Sequence, residues 1–545
     1  AVHTSRDPAA TEPLREAHLT LGRAPSFAAM LRGHARAWDA LWRRCDVVLE
    51  GHAEAQRILR LHVFHLLQVA SPHVVGRDVG LPARGLHGEA YRGHVFWDEL
   101  FIFPLLRSGA PELTRALLMY RHNRLDAARR RARELGHAGA AYPWQSGSSG
   151  REETPYAYFN PRSGRWIVDE TEYQFHIGAA VAWNVWAYYE ATGDDAWLRF
   201  YGAEMLLEIA RFWASIASWD PRFSRYRIRG VVGPDEFHTA YPGADRPGID
   251  DNAYTNVMAA WCLRIAEVAL EAIGKERRDE LLDDLDIDAV ERAHWRDVAA
   301  KLHVPFHDGH IISQFEGYAA LPELDWDGLR ARHGDIHRLD LVLEAEGDTP
   351  SRYKASKQAD VLMLFYLLSA DQLAELLHSM GYAFDKQWIP ENVDYYLRRT
   401  SHGSTLSRVV HAWVLARSDR ARSFHLFQEA LRSDVDDIQG GTTPEGIHLG
   451  AMAGAVDLLK RCYTGAVIRD GTLWLSPRLP DPLSLLRTRF LIHGAWLDVE
   501  VTRRDVEVVY SNGHAPTARV GIIDTVHTLE CNRPRRFPLP PERAG

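Results

Sequence analysis

Long apolar runs are missing from this sequence of 545 residues. None approaches the roughly 18 residues needed to cross a bilayer, so no transmembrane helix is predicted. Residues 1–15 are polar and carry no apolar core of a signal peptide. Cysteine is scarce: Cys45, Cys262, Cys462 and Cys531 lie far apart and form no CxxC pair. That argues against a cysteine zinc site and predicts buried free thiols in a reducing compartment. No long basic stripe occurs, and 64 Lys and Arg against 73 Asp and Glu leave a net charge of −9. A nucleic-acid-binding surface is therefore not expected. No 20–50-residue period repeats, which disfavours a solenoid. These absences predict a cytoplasmic protein with no metal, no membrane and no nucleic acid among its partners.

Aromatic residues are plentiful instead. Seventeen Trp, 20 Tyr and 19 Phe are incompatible with a disordered chain. At about 150 residues per domain the length allows three to four domains. Apolar residues recur at three- and four-residue spacing through most of the first 470 residues. Phe27, Met30, Leu31, Trp38, Leu41 and Trp42 place one amphipathic helix on residues 26–46. Twelve further helices are predicted near 54–70, 96–108, 112–136, 175–193, 195–217, 253–274, 285–303, 355–368, 370–381, 403–417, 419–433 and 447–460. Some, such as 175–190, are apolar nearly all round, and others, such as 285–303, have one charged face. Buried and half-exposed helices in such a mixture imply two concentric rings, an (α/α)6 barrel on residues 51–465 behind a linker-helix region, 1–50. From 466 the period changes to two. Residues 467–475, 485–493, 495–502 and 504–511 read as strands of a small C-terminal antiparallel β domain, 466–545. The Pro- and Arg-rich tail, 532–545, reads as an extended strap or as disordered.

Polar and aromatic residues interrupt the helices at their connections, where a barrel collects its functional groups. In Gly93-His94-Val95-Phe96-Trp97-Asp98-Glu99 the Trp97 indole offers an apolar face to a sugar ring and Asp98 accepts from hydroxyls. The bland alternative is a core Trp beside a helix cap. Tyr142-Pro143-Trp144-Gln145-Ser146-Gly147, followed by Glu152 and Glu153, is a long loop, and long loops in compact domains are often functional. Val232 to His238 contains Asp235 and Glu236 on a Gly-Pro turn, with Asp250, Asp251 and Asn252 just beyond. Asp251 or Asn252 can cap a helix. The Asp235-Glu236 pair has no such task, and its apolar flanks favour a carboxyl that keeps its proton, as glycosidic cleavage requires. Lys357 and Gln358 lie in Lys354 to Asp360. His402, Gly403, Ser404 and Thr405 open a helix whose free N–H groups, hydroxyls and neighbouring cations suit an anion; an ordinary Ser/Thr cap is the alternative. A Gly440-Gly441-Thr442-Thr443 loop leads to His448, a core histidine or a second donor to that anion.

Together these stretches resemble glycoside hydrolase family 65, the inverting phosphorylases of maltose, trehalose, kojibiose and nigerose. The motifs that carry the resemblance are GHVFWDELF, YPWQSGSSGREE, GPDEFH with DNAYTN, KQAD, TSHGSTLS and GTTPEGIHLGAMAG. They occur in family order over about residues 20–510. The resemblance implies the same barrel and β domain, and it implies roles. Glu236 resembles the general acid, with inorganic phosphate as nucleophile and co-substrate, no other cofactor, and β-glucose 1-phosphate as product. Ser404, Thr405, His448 and Lys357 resemble the phosphate ligands. Trp97, Asp98 and Lys357 resemble contacts to the transferred glucosyl unit, and Trp144 and Glu152 stand where the leaving sugar is held. Two positions depart from the family. Asp394-Tyr395-Tyr396-Leu397 lacks the usual Glu after the Tyr pair, and Gly403-Ser404-Thr405 replaces Asp-Ser-Ser. The resemblance also implies a β-sandwich ahead of the linker helix. Its counterpart here is a removed segment, a separate partner chain, or nothing; the chain starts at Ala1 without Met, which fits a processed piece. A homodimer is a further partner the resemblance allows. Two other functions remain open at this stage. One is an inverting, trehalase-like α-glucoside hydrolase, for which Glu445 is the base to suspect. The other is a barrel that binds carbohydrate without turnover.

Overall fold

The computed structural model describes residues 12–469, 471–511 and 515–540. Twelve helices form the body: α1 (Ala53–Val69), α2 (Glu99–Gly109), α3 (Pro111–His122), α4 (Ile177–Thr192), α5 (Ala203–Ile216), α6 (Ala253–Ala272), α7 (Ala289–Lys301), α8 (Leu362–Leu367), α9 (Ala370–Ser379), α10 (Thr405–Leu415), α11 (Arg420–Arg432) and α12 (Leu449–Asp457). The even-numbered helices pack on one another in a closed ring, α2–α4–α6–α8–α10–α12–α2, and the odd-numbered ones lie outside them. This is the (α/α)6 barrel. Composition decides the ring: every residue of α12 is buried, whereas α7 buries only Trp295, Val298 and Ala299. Small residues set the spacing within the inner ring. A Cβ on Gly454 of α12 would stand 2.6 Å from a Val409 methyl of α10, so the Val409 side chain packs directly on the α12 backbone.

Contacts between the first residues of successive inner helices close one end of the ring. Trp97 packs on His176 with ring centroids 5.1 Å apart, and His176 packs on Tyr254 at 5.6 Å. Asn252 Nδ2 donates to Asp360 at 3.0 Å, Gly403 N donates to Lys357 O at 2.9 Å, and Thr405 contacts His448. His448 Nε2 then lies 3.8 Å from Asp98 Oδ1. All six inner helices therefore point their N-termini at one mouth.

Apart from three two-stranded hairpins in the barrel connections, the strands are β1 (Val48–Glu50), β2 (Val467–Arg469), β3 (Thr472–Leu475), β4 (Leu485–Ile492), β5 (Ala495–Thr502), β6 (Asp505–Ser511), β7 (Thr517–Ile522), β8 (Thr525–Glu530) and β9 (Pro534–Pro538). They form sheets ordered β1-β4-β5-β6-β9 and β8-β7-β3-β2. β1 comes from the linker region and pairs with β4, Leu49 opposite Leu486, so the boundary expected at residue 50 is crossed by a sheet. No described helix is long and apolar enough to cross a membrane. Cys45, Cys262 and Cys462 are buried free thiols, and Cys531 is half-buried.

Several expectations change. Residues 355–361 are not helical; only Leu362–Leu367 is. Ser356 instead pairs with the 399–401 backbone, donating to Arg399 O at 2.8 Å and accepting from Ser401 N at 2.9 Å. The segment 112–136 breaks at Arg124, whose guanidinium is held by Asp78, Tyr120 O and Ser148 O. Residues 467–475 are two strands of a hairpin rather than one. One neighbouring pair of strands, β7 with β3, is parallel. In the tail, Pro534–Pro538 is a strand on β6, while 541–545 and 1–11 lie outside the described residues. The sequence pattern also missed helices at Pro13–Gly22, Lys275–Asp284, Trp326–His333, Leu339–Ala345 and Ile389–Leu397. They are short or strongly polar, and leave little apolar periodicity to read.

Candidate active site

Free backbone N–H groups and the positive ends of six helix dipoles converge on the mouth, which suits an anion before any side chain is counted. Ser404 occupies the N-cap position of α10 but makes no capping bond, so the ordinary cap reading fails and its hydroxyl is left for a ligand. Thr405 Oγ1 contacts His448 Nδ1, while His448 N donates to Asp434 Oδ2 at 2.8 Å. Burial holds the His448 ring well below the usual imidazole range, and the charges of Arg84 and Lys357 push it further. His448 is thus a neutral imidazole facing cations. Arg84 was not foreseen from the sequence. It is buried, donates to Gly446 O at 2.8 Å, and keeps Nε without a protein acceptor.

The Gly233-Pro234 turn separates the two acids that follow it. Gly233 has no room for a side chain, because a Cβ would meet Asn252 Nδ2 and Asp360 Oδ2 at 2.4 Å. Asp235 points inward, fully buried, with Oδ2 2.6 Å from His238 Nδ1. It therefore has a structural task, contrary to expectation. Burial, reinforced by Asp235, holds the Asp360 carboxyl well above the usual range. Glu236 reverses direction through a left-handed backbone, φ 61°, a conformation that costs a non-glycine residue energy and recurs at functional sites. Its side chain meets Lys357 Nζ at 2.5 Å and accepts from Gln358 Nε2 at 3.2 Å. Burial alone would lower the Lys357 ammonium, but the Glu236 and Asp340 carboxylates hold it raised.

Across from this pair, Asp98 precedes α2 without capping it, and its Oδ1 is buried without a hydrogen bond. Burial pushes its carboxyl up to about 7, with Glu236 reinforcing and Arg84 opposing. Behind it, Glu99 and Arg121 form a buried pair at 2.8 Å, and Arg121 also donates to Phe96 O. Trp97 is only 3% exposed. Its ring packs on Phe101, Trp144 and His176, so the open sugar-stacking face expected of it is not seen. Glu152 is occupied as well: it accepts from the backbone of Trp144, Gln145, Glu153 and Thr154 and pairs with Arg131 at 3.2 Å. In this structure it shapes the 142–154 loop. Glu445 is exposed on a short 3-10 turn. Asp169, Tyr158, Arg338 and Asp340 also act electrostatically on this cluster, and no motif announced them.

The model of the glycosyl hydrolase family 65 central catalytic domain matches residues 60–457, and that of the family 65 C-terminal domain matches 467–529. The chain belongs to glycosyl hydrolase family 65. Within family 65 it is 52% identical over 530 residues to an uncharacterized glycosyl hydrolase of Mycobacterium tuberculosis, covering 97% of this chain and 40% of that one. It is 37% identical over 487 residues to the trehalose 6-phosphate phosphorylase of Lactococcus lactis, 88% of this chain and 61% of the relative. The kojibiose phosphorylase of Caldanaerobacter subterraneus is 34% identical over 88% of this chain and 59% of its own length. The chain thus spans between two fifths and three fifths of these relatives. A solved kojibiose phosphorylase candidate from the human microbiome superposes with a TM-score of 0.81 at 23% identity, over 98% of this chain and 72% of that one, which shows a shared fold.

Proposed function

We propose that the chain catalyses inverting phosphorolysis of an α-glucosidic disaccharide to β-glucose 1-phosphate and a free sugar. The observation that carries this reading is the donor set gathered at the starts of α10 and α12. Ser404 does not cap its helix, Thr405 and His448 stand together, and Arg84 and Lys357 act on them, with Glu236 bonded to Lys357. A water nucleophile needs no such cradle, whereas an oxyanion does. In this reading Glu236 donates a proton to the glycosidic oxygen as its bond to the anomeric carbon breaks. Phosphate forms the new carbon–oxygen bond from the opposite face and inverts the centre. Phosphate already carries its negative charge, so it needs no carboxylate base. In this reading Asp98 and Trp97 contact the glucosyl unit, and Trp144 walls the leaving sugar. Relatives at 32–37% identity are phosphorylases of trehalose 6-phosphate, kojibiose, 1,2-α-glucosylglycerol and trehalose, which supports the reaction class and leaves the second sugar to the test.

Incubation with trehalose, trehalose 6-phosphate, kojibiose, maltose and nigerose, each with and without phosphate, decides the matter. Release of β-glucose 1-phosphate only with phosphate is expected. Glucose release indifferent to phosphate would establish a hydrolase instead, and no turnover of any of the five would count for a binding barrel. Glu236→Gln should lower kcat about 10²–10⁴-fold on the active disaccharide. It should lose far less on α-glucosyl fluoride, whose leaving group needs no proton, and equal losses on both would remove Glu236 as the acid.

A further inference from the structure

At rest the proposed acid, Glu236, is paired with a cation. Both Glu236 oxygens accept hydrogen bonds, one from the Lys357 ammonium at 2.5 Å and one from Gln358 at 3.2 Å. An ammonium in that position favours carboxylate over carboxylic acid. Lys357 is also tied to the anion cradle. Its backbone oxygen accepts from Gly403 N at 2.9 Å, and its stem lies over Gly403, where a Cβ would stand 2.9 Å from Lys357 Cγ. Its charge reaches His448. One ammonium therefore sits between two places for negative charge, Glu236 and the cradle of Ser404, Thr405 and His448.

Resting on the phosphorylase reading, we propose that phosphate arrival draws Lys357 away from Glu236 and that Glu236 then takes up the proton it later donates. The surroundings support that direction. Asp98 from the start of α2 and Asp169 from the segment before α4 both face Glu236 electrostatically, and like charges favour protonation once the cation has left. The other groups around Lys357 are Arg338 with its partner Asp340, Tyr91 and Tyr158, while Arg84 and His448 lie on the cradle side. Arg338 and Asp340 are paired at 2.7 Å and largely cancel. Lys357 is thus a positioning residue that links the nucleophile to the acid, so the acid is charged for donation only when its nucleophile is present.

Calorimetric titration of the full chain with sulfate tests this, since sulfate mimics phosphate without titrating near pH 7. Heats measured in buffers of low and high ionisation enthalpy should reveal uptake of roughly half to one proton per ion bound. Glu236→Gln should abolish the uptake and bind sulfate several-fold more tightly, because a competitor for Lys357 is gone. Lys357→Met should bind sulfate several-fold more weakly and show no uptake. Binding without proton uptake, uptake that survives Glu236→Gln, or uptake that survives Lys357→Met would overturn the coupling and leave the phosphorylase reading standing. If neither sulfate nor phosphate binds, the anion cradle itself falls and the coupling falls with it.

Discussion

Asp98 shows what a single buried carboxylate costs the fold. Its folded-state value of about 7 lies well above the ordinary 3.8, with burial the chief cause. An acid raised in the fold binds its proton more tightly there than in the unfolded chain. Stability is therefore lost as pH rises from about 4 to about 7, and stays level above that. The shift corresponds to a penalty on the order of 4 kcal/mol at pH 8. Asp98→Asn should accordingly raise Tm at pH 8, with a smaller gain at pH 5, while abolishing turnover. An Asn variant no more stable at pH 8 than the parent would show that the carboxylate is not strained. Ser404→Ala, which removes one donor worth roughly 1–1.5 kcal/mol, should raise KM for phosphate about tenfold and KM for the sugar much less. An equal effect on both would argue against the anion role. At this scale the sequence announced the motif but not the division of labour inside it. Asp235 and Glu236 are chemically alike and adjacent, and only the left-handed turn sends one inward to His238 and the other to Lys357. Arg84 gave no signal at all, because its partners are a carbonyl and an imidazole more than 360 residues away.

The elements themselves were legible wherever the period of apolar residues was undisturbed, as in α4, α6 and β4 to β6. Pattern failed where tertiary contacts outbid it. Residues 355–361 have the composition of a helix start, yet the Ser356 backbone bonds to Arg399 and Ser401 and Lys357 O accepts from Gly403 N, which helps bring Lys357 to Glu236. The start of α2 depends on a similar hidden contact. Arg121 of α3 crosses to Glu99 and to Phe96 O, both side chains being buried, so α3 fixes the backbone that presents Trp97 and Asp98. Removing one member leaves a buried charge unpaired, which costs about 3–5 kcal/mol. Arg121→Met should therefore lower Tm sharply. Adding Glu99→Leu should recover much of the stability but not the activity, because the bond to Phe96 O stays lost. Recovery of both in the double variant would show that the pair has no part in placing Asp98.

The whole molecule is less divisible than its sequence suggests. Arg44 of the linker helix donates to Gly109 O at 2.7 Å and so satisfies the end of inner helix α2, while Cys45 packs where Gly109 leaves space. Val47 and Leu49 are buried, and β1 completes the larger sheet by covering β4. The linker thus caps the barrel floor and closes a sheet edge at once, whereas composition alone placed it outside both units. Burying Val47 and Leu49 contributes about 1.5–3 kcal/mol each, and an exposed edge on β4 would invite pairing between chains. Against a typical total stability of about 5–15 kcal/mol, that loss is large. Deletion of residues 1–50 should give a chain that aggregates, or that melts at least 10 °C lower in differential scanning calorimetry. Deletion of residues 1–25 alone, which spares these contacts, should leave Tm within a few degrees. If the longer deletion melts with the shorter one, the linker is dispensable and the barrel folds without it.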